Sequence, residues 1–128
     1  MSPVDLKRPT ALRAGDLLTG DLATVPTTAS VSSARRLMQH LDVRHLPVLG
    51  DEGLVGMLYE PTLGDADGSV LDRVDRDVPR AHLKDGLGDL GELLASSSCA
   101  AVVVVDEGQH LLGVITDRDL DEAVSRSV

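Results

Sequence analysis

The sequence predicts an α+β fold, a mixed α/β arrangement in which one β-α-β-β-α unit occurs twice and the two copies pack with pseudo-two-fold symmetry. Three observations predict it. The first is an internal repeat: Val31, Ala34, Leu37, Met38 and Pro47 recur as Leu87, Leu90, Leu93, Leu94 and Val103 at a spacing of 56. Leu54, Gly56 and Leu63 recur as Leu111, Gly113 and Leu120 at a spacing of 57, a slip that a turn one residue longer explains. The second is a change of period inside each copy, from helical spacing to short strand-like runs. The third is size. A half of roughly 55 residues buries too little surface to be stable alone, so the halves must pack together.

The elements follow in order. Residues 11–18 read as a leading helix and 23–25 as a short β segment. Val31, Ala34, Leu37, Met38 and Leu41 form one apolar helical stripe, with Ser30 placed as its N-cap. Strands at 45–49 and 54–58 flank the turn residues Gly50-Asp-Glu-Gly, and Pro61 suits the first turn of a helix. Gly64-Asp-Ala-Asp-Gly is polar and turn-rich, which makes 64–68 the linker between a first repeat at 11–63 and a second at 69–125. The second repeat opens with a helix over 69–75 and a β segment at 80–82. Leu87, Leu90, Leu93 and Leu94 then repeat the stripe, with Asp85 as its candidate cap. Gly88 and Gly91 weaken that helix by about 1 kcal/mol each against alanine, so it must rely on packing. Val102 to Val105 is continuously apolar, as in a strand buried on both faces. A strand at 111–115 and a helix at 117–126 complete the order.

Composition excludes several classes of function. The net charge of −9 opposes non-specific binding to nucleic acid or to an anionic membrane, both of them polyanions. Tyr59 is accompanied by no Phe and no Trp, so stacking platforms for exposed bases are missing. A single cysteine forms no intrachain disulfide and fits a reducing cytoplasm. Residues 1–10 lack the apolar run of a signal peptide, and Cys99 to Val105 is far too short to span a membrane.

The order strand, helix, h-Pro-V strand, turn, hhGhh strand and T-x-x-D helix (h, any apolar residue) resembles the cystathionine-β-synthase (CBS) domain, and two in tandem resemble the CBS pair called a Bateman module. The pieces that carry the resemblance are Arg44-His-Leu-Pro-Val-Leu and Leu112-Gly-Val-Ile-Thr-Asp-Arg-Asp-Leu, each in register within its repeat. It covers about residues 11–125. It implies a regulatory binding module rather than an enzyme. The ligand would be an adenosine-containing molecule (AMP, ADP, ATP or S-adenosylmethionine) in the cleft between repeats, with no cofactor required. It also implies a homodimer, and a regulated protein partner would read the signal. The alternative function is a ligand-free dimerisation or protein-interaction module.

The resemblance assigns the ligand signature to Thr116 and Asp119. The chemistry suits the assignment, because an ionised carboxylate only accepts hydrogen bonds and can take them from both hydroxyls of a ribose diol. A threonine at a helix start lies beside free N–H groups and the positive dipole end, where a phosphate is favoured. The same two residues also form most of a capping box, which needs no ligand. By the resemblance the other repeat completes the site through Val43, Arg44 and His45. Backbone and aliphatic groups there, with Ala23 and Val114, would hold the adenine. Arg44 or His45 either supplies a cation for a phosphate or is an exposed polar residue at a strand start. The uncharged Cys99-Ala-Ala at the matching place makes ATP less suited than AMP or an uncharged adenosyl group. The first repeat has Tyr59 and Thr62 in place of Thr116 and Asp119, a degenerate second site in which Tyr59 either fills the position or borders the core.

Other chemistry is set aside. His40, His45, His82 and His110 lack metal-ligand spacing, and no metal site is expected. Cys99 has no paired cysteine and reads as core packing. Asp65-Ala-Asp-Gly-Ser is not a calcium loop, because its glycine comes two places early and Arg76 stands where a bidentate Glu belongs. Neither a Gly-x-Gly-x-x-Gly nor a Walker sequence is present.

Overall fold

The computed structural model describes residues 12–18, 22–65 and 67–127. It contains two compact units, each with its own three-stranded sheet and helical cover. The unit made by residues 22–78 comprises β1 (Val25–Pro26), α2 (Val31–Leu41), β2 (His45–Gly50) and β3 (Gly53–Tyr59), followed by 3₁₀ turns at Glu60–Thr62 and Val70–Asp72. The other joins residues 12–18 to 79–127. It comprises α1 (Ala14–Leu17), β4 (Arg80–Ala81), α3 (Leu87–Ser96), β5 (Ala101–Val105), β6 (Leu111–Thr116) and α4 (Asp117–Ser127).

The repeat is visible in the registers. β1 pairs parallel with β2 through Val25↔Val48, and β4 pairs parallel with β5 through Ala81↔Val104. Antiparallel pairing then sets Val48 against Gly56 and Val104 against Gly113, with a bulge after Val48 and after Val104. The turn beyond each bulge accounts for the slip from 56 to 57. Leu49↔Leu54 encloses residues 50–53, whereas Val105↔Leu111 encloses 106–110. Asp106 organises the longer turn, its Oδ1 accepting from the Gly108 N–H at 2.8 Å and the His110 N–H at 2.9 Å. Those contacts, the His110 N–H foremost, hold its carboxyl below the ordinary 3.8.

Both helical stripes bury as the sequence predicts, except at one end. Val31, Ala34 and Met38 join Val25, Leu46, Val48, Leu58, Leu63 and Val70 in one core. Leu90 and Leu94 join Ala14, Leu17, Ala81, Val102, Val104, Ile115 and Ala123 in the other. Leu41 instead stays 42% exposed, because the helix stops there: Asp42 turns left-handed at φ 56° and the Val43 N–H bonds back to the Met38 carbonyl at 3.0 Å. All of β5 is buried, as a central strand bearing side chains on two covered faces must be.

Several expected elements differ. The leading helix is confined to Ala14–Leu17, residue 11 lying outside the described residues. The β segments fall at Val25–Pro26 and Arg80–Ala81, and His82 has already turned, its N–H donating to the Asp85 carboxylate at 2.9 Å. That contact also removes Asp85 as the cap of α3; the N-cap is Gly86, whose N–H donates to Asp89 at 3.2 Å. The helix expected over 69–75 is one 3₁₀ turn, because Asp75 is held extended by reciprocal backbone bonds to Met57 of 2.9 and 2.8 Å. No α-helix follows β3, where Pro61 is the second residue of a single 3₁₀ turn begun by Glu60 and Gly64 is left-handed at φ 68°.

The opening segment of each repeat packs with the other repeat's sheet. Arg13 bridges to Gly86 and Ser69 bridges to Ser30, equivalent contacts at the two helix starts. Glycine permits this exchange. A Cβ on Gly113 would strike the Leu18 side chain, and one on Gly56 would strike the Asp75 carbonyl and lie 2.7 Å from a Val74 methyl. Leu18 and Asp75 are both 57 positions apart, as are Gly56 and Gly113.

The 64–68 segment does more than connect. At the start of α2 the Val31 N–H donates to the Gly68 carbonyl at 2.8 Å and the Ser32 N–H to Asp67 at 3.0 Å, while Ser30 and Ser33 satisfy each other's N–H groups through their hydroxyls. Every N–H that the helix start leaves without an intrahelical acceptor is thereby paired. The Gly68 N–H, then the Ser32 N–H and hydroxyl, and Arg35 hold the Asp67 carboxyl below its ordinary 3.8.

Two predictions follow from this packing. Gly56→Ala should destabilise by about 2–3 kcal/mol, because backbone cannot yield as a flexible side chain does. Gly88→Ala, on an exposed helical face with nothing within 4 Å, should stabilise by about 0.5–1 kcal/mol; denaturant midpoints of the two variants will move in opposite directions. Separately, a carboxyl with a lowered folded pKa stabilises fully above its unfolded value and loses that contribution as pH falls through the folded one. The stability gap between the wild type and Asp67→Asn should therefore be present at pH 7 and shrink below about pH 3.8, as urea unfolding at both pH values will show.

Candidate functional site

At the β6–α4 junction the chain passes from strand to helix without a loop, Thr116 ending one and Asp117 starting the other. This puts Asp119 on the third helical position, one turn above Thr116. Its Oδ2 accepts both the Thr116 N–H at 2.9 Å and the Thr116 hydroxyl at 3.1 Å. The contact is the carboxylate half of a capping box. Oδ1 has no protein partner among the described residues, so the carboxylate is oriented by one oxygen and open at the other. Asp117, Asp121 and Glu122 make the start of α4 acidic, and Arg118 reaches Glu122 at 3.6 Å in an exposed pair.

Strand pairing sorts the side chains around this corner. Val102 lies opposite Ile115, and both belong to the core beneath α3 and α4. Alternation then puts Ala101, Val103, Val114 and Thr116 together on the opposite face of the sheet, as the pairs Ala101↔Thr116 and Val103↔Val114. This face is apolar and built of small side chains, with a hydroxyl and an oriented carboxylate at one end.

The matching face in the other unit is crowded. Leu46 and Leu58 face their core, so His45, Pro47, Met57 and Tyr59 share the opposite face, in the pairs His45↔Tyr59 and Pro47↔Met57. The His45 and Tyr59 rings stack with centroids 4.8 Å apart and planes 11° from parallel. Thr62, in the position of Asp119, donates its hydroxyl to the Tyr59 carbonyl at 2.8 Å. Arg44 is exposed, with its carbonyl accepting the Glu60 N–H at 2.9 Å, and Val43 is 39% exposed. Ala23 packs against the core of this unit.

The structure thus brings Thr116, Asp119 and Val114 together in one unit, and Val43, Arg44 and His45 together with Tyr59 and Thr62 in the other. The ring stack is the feature that sequence reading missed. Counting straight outward from the Gly50–Gly53 pair sets residue 45 opposite residue 58; only the bulge after Val48 brings Tyr59 opposite His45, and no local pattern announces it. Cys99 is buried in packing, with its N–H donating to the Ser97 hydroxyl at 3.3 Å. Among the described residues no group of three or more His, Cys, Asp or Glu is gathered as a metal site would require, and no helix is long and apolar enough to cross a membrane.

A model of the CBS domain matches residues 14–63 and 70–126. Among curated proteins, homoserine O-acetyltransferase of Methanocorpusculum labreanum is 26% identical over 117 residues, covering 87% of this chain; the chain spans only 24% of that relative's length. Among solved structures, the CBS domain pair of protein MJ0100, in complex with 5′-methylthioadenosine and S-adenosyl-L-methionine, matches with a TM-score of 0.83 at 18% identity, over 92% of this chain and 99% of that one. CBSX2, from Arabidopsis thaliana, in complex with AMP, matches with a TM-score of 0.79 at 23% identity, over 90% and 97%. At these identities the likeness is one of fold. With the duplicated sheet registers, the paired glycines and both matched segments in agreement, the chain belongs to the CBS domain family and carries the domain twice.

Proposed function

We propose that this module senses an adenosine-containing ligand, bound at one site per chain in which Asp119 receives the ribose hydroxyls and Thr116 marks the phosphate or 5′ end. The observation that carries the reading is the orientation of Asp119. Its Oδ2 is held by Thr116 while Oδ1 has no protein partner among the described residues, and the half-buried Val114 shares a sheet face with Thr116. A diol can donate to such a carboxylate with no rearrangement, and a planar base packs on aliphatic groups where aromatic platforms are lacking. Structural relatives in complex with AMP, and with 5′-methylthioadenosine and S-adenosyl-L-methionine, support the choice of ligand class. The regulatory output would be a shift in conformation or assembly, such as a homodimer, driven by differential affinity for the ligand.

Calorimetric titration with AMP, ADP, ATP and S-adenosylmethionine tests the reading, with Asp119→Ala as the control. At least one ligand should bind below millimolar. The variant should weaken it roughly 10- to 100-fold, the worth of hydrogen bonds to a charged acceptor. It should also lose about 1 kcal/mol of stability without ligand, because the cap goes too. If only the stability changes and no ligand binds, Thr116 and Asp119 serve as a cap alone and the ligand-free interaction module is the better reading.

A further inference from the structure

We propose that the stacked His45–Tyr59 pair is a built-in plug: it occupies, in the first repeat, the sheet face on which the second repeat would receive its ligand, and so sets the binding stoichiometry of the chain. The inference rests on the adenosyl reading above and deepens it by assigning its selectivity to particular side chains. The sequence offers Arg44 or His45 either as a cation for a phosphate or as an exposed polar residue at a strand start. The His45 ring stacks on Tyr59.

The matched registers carry the argument. His45↔Tyr59 and Ala101↔Thr116 are the same pair in the two sheets, on the same face, one step from the strand-to-helix corner. In one unit that pair is a methyl group and a small hydroxyl. In the other it is two planar rings, 4.8 Å between centroids and 11° from parallel, already in the stacked arrangement that a bound base would seek. The next pair repeats the contrast, Pro47↔Met57 against Val103↔Val114. The polar end is closed as well, because Thr62 donates its hydroxyl to the Tyr59 carbonyl and offers no carboxylate for a diol. Bulk, stacking and the absent acceptor act together, so all three must be reversed to open the face.

The test is the variant Tyr59→Thr, Thr62→Asp, which removes the bulk and the stack and supplies the missing carboxylate while leaving His45 in place. Titrated with AMP and, in parallel, S-adenosylmethionine, the wild type should bind one ligand per chain and the folded variant two. One site in both proteins overturns the plug while leaving the ligand reading intact; two in the wild type overturn the plug and the one-site stoichiometry with it. Binding by neither protein overturns the ligand reading and the plug with it. Should the double variant not fold, the wild type decides the matter by NMR. Saturating AMP should shift the Thr116 and Asp119 amides and leave the contacts between the Tyr59 and His45 ring protons in place; loss of those contacts overturns the proposal. Tyr59 is the chain's single Phe, Tyr or Trp residue, so its ring signals carry no overlap from another such ring.

Discussion

In each sheet the last strand has a glycine where another stretch of chain passes too close to admit a side chain. Leu18 lies against Gly113, and Val74 with the Asp75 carbonyl lies against Gly56. Those approaches dock the opening segment of one repeat onto the sheet of the other, together with the bridges Arg13↔Gly86 and Ser30↔Ser69. The unit of residues 79–127 is therefore completed by a stretch from before residue 22, and the unit of residues 22–78 by the opening of the second repeat. Residues 12–18 complete a core whose other members begin at Ala81, and Val70 completes a core that begins at Val25. A hydrophobic core too small to stand alone is enlarged by a segment borrowed from elsewhere in the chain, and the whole fold inherits its dependence on two glycines.

Helix starts form the second recurring theme. The polar 64–68 stretch lends Asp67 and the Gly68 carbonyl to α2, Asp89 serves Gly86 at α3, and Asp119 serves Thr116 at α4. The same requirement, pairing the N–H groups that a helix leaves over, is met three ways. At α4 it is met with one carboxylate oxygen to spare, beside a face of small side chains. There, a structural device becomes suited to a ligand. At the equivalent corner of the first repeat the carboxylate is gone and two rings stack on the face, so the pseudo-symmetry of the repeats ends where a ligand would touch.

The duplication, the central apolar strand at Val102–Val105 and the helical stripes were legible in the sequence because each depends on local periodicity. Features that depend on a distant partner were not. The expected helix over 69–75 gives way to a 3₁₀ turn because Asp75 must lie extended beside Met57, a partner 18 residues back that no local pattern announces. Asp85 has the composition of a cap, yet its carboxylate is taken by the His82 N–H. Thr116 and Asp119 were legible as a pair, since their spacing alone sets one turn of helix between them. The His45–Tyr59 stack depends on the bulge after Val48, which shifts the hairpin register by one residue; counted straight outward from the Gly50–Gly53 turn, His45 would face Leu58.

The account rests on Asp119 being an oriented acceptor for a ribose and not a cap alone. A crystal structure of the protein grown with AMP tests that most directly. The account predicts ribose hydroxyls within hydrogen-bond distance of Asp119 Oδ1, with Oδ2 still held by Thr116 and the His45–Tyr59 stack undisturbed. Nucleotide bound against Tyr59 and Thr62, or a fully formed crystal with Asp119 contacting Thr116 only, would contradict it.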